Sequence, residues 1–106
     1  MLDDVMVNLK EMLNEIEEEG HTKRSHVQSC LGIYIQIRDK HIVHIDNKKA
    51  GKLRPILNKI MRLLYDLDYM IVFNEGTLTA DFIREVLIPY VERQTPQIRR
   101  LMDKEE

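Results

Sequence analysis

All four histidines and the only cysteine of the chain fall between His21 and His44. Imidazole nitrogen and thiolate sulfur are good zinc ligands, and four of these residues, His26, Cys30, His41 and His44, could in principle complete a tetrahedral site. His26 and Cys30 are four apart, as on one face of a helix, whereas His41 and His44 are separated by two residues. That spacing matches no standard zinc module. On a β-hairpin His41 and His44 would also point to opposite faces, so neither a metal nor another cofactor is expected.

Nucleophilic chemistry has still less support. Ser25 and Ser29 lie near His26, but there is no nucleophile elbow, no glycine-rich phosphate loop and no pair of carboxylates at an apolar site. Asp66 and Asp68, two apart after a helical run, fit solvated helix-end acids better than cation ligands. No catalytic residue is assigned, and an enzyme is the less expected class.

Charge is distributed unevenly. The formal total is −2, but residues 1 to 19 carry one Lys against seven acids, whereas Gly20 to Arg62 carries ten bases against Asp39 and Asp46. Lys48, Lys49, Lys52, Lys59 and Arg62 are the candidate phosphate contacts of a nucleic-acid-binding surface. Against that, base-stacking aromatics are not interleaved with these cations, no helix-turn-helix pattern occurs, and the acidic remainder repels polyanions. The alternative use of the same charges is to lie against the acidic first helix near Glu11, Glu15 and Glu18, within one chain or between two.

These side chains must be held by a domain built from 106 residues, 43% of them hydrophobic and 32% charged, which suffices for one core and no more. A single domain over 1–106 is expected. With no Trp and two Phe, the core must come from Ile, Leu, Val and six Met. One cysteine excludes an intrachain disulfide, and no signal-peptide pattern or membrane-spanning apolar run is visible, so a cytoplasmic location without membrane contact is expected. The polar end Asp103 to Glu106 is expected to be docked on the domain or on a neighbouring chain.

Leu2, Val5, Leu9, Met12 and Ile16 alternate steps of three and four before Gly20, which predicts a helix whose stripe packs along a neighbouring helix. That neighbour is either part of the same fold or a second copy, and the stripe is therefore the candidate interaction surface of a homo-oligomer. Gly32 to Asp46 changes period. Ile33, Ile35 and Ile37 alternate with polar residues, Arg38-Asp39-Lys40 interrupts, and His41 to Ile45 resumes, predicting a β-hairpin. A competing helical pattern runs through Val27, Cys30, Leu31, Tyr34 and Ile35. Asp46 to Lys52 reads as a connector and Pro55 as a first-turn residue of a long helix through Leu67. Tyr69 to Phe73, bounded by Asp68 and by Asn74-Glu75-Gly76, suggests a third strand. Thr79 is placed to cap a last helix, with Leu78 and Ile83 as its hydrophobic staple, and Pro89 is expected to end or kink it.

The expected fold is thus helix-rich α+β, in the order helix, hairpin, helix, short strand and kinked C-terminal helix, with an all-α bundle as the alternative. The expected function is a small intracellular protein-interaction or regulatory domain that forms a dimer or binds another protein. Nucleic-acid binding through residues 48–62 is the alternative.

Overall fold

The computed structural model describes residues 1–73 and 76–103, and no strand occurs among them. Four rods form an antiparallel bundle with overall extents of 45 × 19 × 18 Å. The first is α1, Asp3–Glu19, and the second is α2, Arg24–Gln36, prolonged by a π-helical turn Ile37–His41 and a 3-10 turn Ile42–His44. The third is α3, Asn47–Val72. The fourth consists of α4, Gly76–Phe82, a π-helical turn Ile83–Leu87, and α5, Ile88–Met102, which run on without a break. The α+β expectation is overturned in favour of the all-α bundle.

The chain alternates direction, as the end-to-end bonds record. Arg24 at the start of α2 makes a bidentate pair with Asp68 near the end of α3, both bonds 2.9 Å, and Arg99 near the end of α5 pairs with Asp3 at the start of α1. Helices α1 and α3 each pack on α2 and on the α4–α5 rod, so they occupy diagonal corners of the bundle. The core between the rods is apolar and close-packed. Val5, Leu9, Met12, Val27, Tyr34, Leu53, Leu57, Ile60, Leu64, Leu67, Ile83, Leu87, Val91 and Ile98 have no solvent access. At about 1.5–3 kcal/mol for each large apolar side chain, burial of this set is the main stabilising term.

The hairpin is absent because the alternating isoleucines belong to one wide helical face. Cys30, Leu31, Tyr34 and Ile37 point inward, while Ile33 and Ile35 are half-buried on its two flanks. Ile37 then opens the π-helical turn, whose closing bond runs from the Ile42 N–H to the Ile37 carbonyl. The extra residue puts the next inward position at Ile42, five residues on, which breaks the helical period over the segment read as a hairpin loop.

Other boundaries also move. Asp46, read as connector, is the N-cap of α3 and accepts the Lys49 N–H at 2.9 Å, so Pro55 lies inside the helix rather than in its first turn. Tyr69 to Phe73 continues α3 to its end instead of forming a strand, while Asn74 and Glu75 lie outside the described residues. Thr79 is buried within α4, and Leu78 is 54% exposed while Ile83 is fully buried, so the staple is not made. Pro89 does not end the helix. The π-helical turn immediately before it takes up the backbone disturbance, and the rod continues through Pro96 to Met102. Of the polar tail, only Asp103 lies within the described residues; its carbonyl accepts a bond from the Lys49 ammonium at 2.9 Å.

Gly32 and Gly51 lie exposed in helices, and a Cβ added to either meets nothing within 4 Å. Since glycine loses more backbone entropy than alanine on entering a helix, Gly32→Ala and Gly51→Ala should each raise stability by about 0.5–1 kcal/mol, read as a higher urea midpoint at constant slope.

Candidate interaction surface

The α1 stripe is consumed by the bundle. Leu2, Val5, Leu9, Met12 and Ile16 are between 0% and 7% exposed and pack within the chain, leaving no apolar stripe on α1 for a second copy.

The histidine and cysteine residues do not converge. Among the described residues, no group of three or more His, Cys, Asp and Glu side chains is placed to hold a metal ion. Cys30 is fully buried with Sγ 3.9 Å from the Val5 carbonyl, and burial pushes its thiol up to about 12, so the reactive thiolate is suppressed. His41 is half-buried in the π-helical turn and His44 is exposed on the 3-10 turn.

His26 instead ties α2 to α1. Its Nε2 lies 3.2 Å from Glu15 Oε2, and its Nδ1 lies 3.2 Å from Asn8 Oδ1 and 3.8 Å from Glu11 Oε2. Both ring nitrogens are therefore engaged with α1, and His26 makes no bond to Ser25 or Ser29. Thr22 Oγ1 donates to the other Glu15 oxygen at 2.5 Å. The Thr22 hydroxyl bond, then the His26 contact, hold the Glu15 carboxyl below its ordinary value of 4.5 against the opposing effect of desolvation. A carboxylate depressed on folding stabilises the fold above its unfolded value, and this contribution disappears as pH falls through the folded one. Thr22→Val should therefore lower the urea midpoint at neutral pH. The gap from the wild type should close when both are titrated well below pH 4.5.

The acids of α1 are answered by neighbours other than the basic segment. Glu17 pairs with Arg84 at 3.2 Å, Asp3 with Arg99, and Glu11 and Glu15 with His26. The expectation that residues 48–62 lie against α1 within the chain is corrected by topology, since diagonal helices do not share a face. The cations of α3 are left on the opposite side of the bundle. Lys49 braces the end of α5 through Asp103, and the Lys59 ammonium sits 4.8 Å from the centre of the Tyr90 ring. Lys48, Lys52, Arg54 and Arg62 are exposed and form no ion pair among the described residues. Two of the lysines stand in the first turn of α3, which contains no acid, where the helix dipole disfavours cations. Departures of this kind from local preference collect at functional surfaces.

The same helix displays apolar groups that sequence inspection assigned to a strand. Tyr65, Tyr69, Val72 and Phe73 are all more than half exposed, and Leu78 at the start of the next rod is equally so. These are five of the nine large hydrophobic residues exposed among the described residues, and they gather at one end of the bundle. The Tyr69 and Phe73 rings lean on one another, 4.5 Å between centroids and tilted by 43°. Continuing the inward pattern of Ile60, Leu64 and Leu67 to half-buried Ile71 would have placed Tyr65, Tyr69 and Phe73 on the outside at steps of four. No helix among the described residues is long and apolar enough to cross a membrane. Comparison with family models, curated proteins and solved structures finds no match to the chain.

Proposed function

We propose that the chain is a small intracellular protein-interaction domain that self-associates, most simply as a dimer, with the outward face of α3 as its docking surface. The observation that carries this reading is the coincidence on one helix of exposed aromatics with Lys48, Lys52, Arg54 and Arg62, which are exposed and form no ion pair among the described residues. Tyrosine, phenylalanine and arginine are the residues enriched at protein interfaces, and a cluster of five exposed apolar side chains at one end of a small bundle exceeds the scattered exposure that needs no explanation. Val72 and Leu78 favour a protein partner, because aliphatic groups add little to base stacking.

Nucleic-acid binding is the second reading, favoured by the proximity of Tyr65, Tyr69 and Phe73 to Arg62 and Lys59 along the same helix. Asp66 interrupts that path, and Tyr69 and Phe73 pack on each other rather than standing apart to receive bases. Fluorescence anisotropy with generic DNA and RNA over a range of salt separates the two. Weak binding at physiological salt is expected. Tight binding that falls steeply with salt, and whose slope drops by about one unit for each of Lys48→Glu and Lys52→Glu, would establish the nucleic-acid reading instead. Lys49 is unsuitable for this experiment because it also braces α5.

A further inference from the structure

We propose that the occupant of this face is a second copy of the chain, docked through an antiparallel seam in which α3 packs on α3 of its partner. The seam rests on the proposed self-association through α3, and it adds the orientation and the register. Pro55, Lys59, Arg62, Asp66, Tyr69 and Phe73 follow one another at steps of four, three, four, three and four, and all six are exposed. That alternation is the spacing of a two-helix seam, here on the solvent side of a helix whose other side already faces the core. It is also palindromic. When two such helices run antiparallel about the midpoint between Arg62 and Asp66, Arg62 of each copy meets Asp66 of the other, Lys59 meets Tyr69, and Pro55 meets Phe73.

Each of these pairings is complementary. Arg62 and Asp66 are four apart, yet neither makes an ion pair within the chain among the described residues, so both are available to a partner. Lysine over tyrosine is a cation–π pair, in which Lys59 exchanges the Tyr90 ring of its own chain for Tyr69 of the other copy, and a proline ring against phenylalanine covers apolar surface at the two ends of the seam. The arrangement is isologous, with one patch used twice, and both aromatic ends are covered at once. A parallel pairing would instead set Arg62 on Arg62 and Asp66 on Asp66, placing like charges together at the centre. An unrelated acidic helix would match the cations but leave Asp66 facing like charge.

Sedimentation equilibrium of the full chain from micromolar to millimolar concentration at low salt tests the seam. The expected result is a monomer–dimer equilibrium. Arg62→Glu and Asp66→Arg should each weaken it by about tenfold or more, and the double variant R62E/D66R should restore it, because the charges are then exchanged in register. Y69A/F73A should abolish the dimer while the circular dichroism and melting of the monomer are retained. A monomer at every concentration would overturn the seam together with the self-association it rests on, and the nucleic-acid titration decides separately whether the face takes protein or nucleic acid. A dimer indifferent to these substitutions, or one the double variant fails to restore, would equally overturn it.

Discussion

Truncating Leu9 to Ala should cost about 2–5 kcal/mol of folding stability, a large share of the 5–15 kcal/mol that holds a typical domain. Leu9 lies in the middle of the α1 stripe with no solvent access. Its removal forfeits transfer free energy and leaves a cavity that helices fixed by Val5 and Met12 on either side cannot close. The loss should appear in urea unfolding of the monomer and should not depend on protein concentration. A docking stripe would behave differently, since Leu9→Ala would then weaken association and leave the unfolding of the dilute protein unchanged.

The second large effect is at the corner where the end of α1 meets the start of α4. Gly20 adopts φ +84° and its N–H closes the helix by bonding the Ile16 carbonyl at 2.8 Å. A Cβ added to Gly76 would stand 2.8 Å from the Gly20 carbonyl oxygen. Both groups are fixed by backbone, so no side-chain rotation relieves the overlap and the two rods must separate. Gly76→Ala should therefore destabilise by about 1–3 kcal/mol, the usual range for overpacking. Chemical denaturation alongside Gly32→Ala makes the comparison internal. The same added methyl should lower stability at one position and raise it at the other.

Helices α1 and α3 are legible in the sequence because their inward residues keep steps of three and four over several turns, and the positions named on those grounds are the core. The second rod was not legible, for a local reason. Ile33 and Ile35 flank the inward face of α2 and with Ile37 mimic strand alternation, and the π-helical turn at Ile37–His41 then adds one residue before Ile42, which hides the continuation of the helical period. For Pro89 the sequence predicts a stop or a kink, and the π-helical turn before it lets the rod continue without a stop.

The proposed docking face was half legible. Counting charge segment by segment located the cations, which the net charge of −2 hides. The aromatics were hidden by the strand assigned to Tyr69–Phe73, which removed them from the helix that carries Arg62. That the basic segment faces away from α1 depends on which helices share an edge of the bundle, and this is a property of topology that no spacing within one helix contains. Tyr34 shows a further limit. Its ring fills the core while its hydroxyl has no hydrogen-bond partner among the described residues, an orphan that only the packed structure exposes.

The claim that α3 is the interface and α1 is core is tested most directly by recording amide chemical shifts of the full-length protein over a dilution series. The amides that move with concentration should map to the outward side of α3 between Pro55 and Phe73, with those of α1 unchanged. Shifts that concentrate on α1, or none at any concentration, would contradict it.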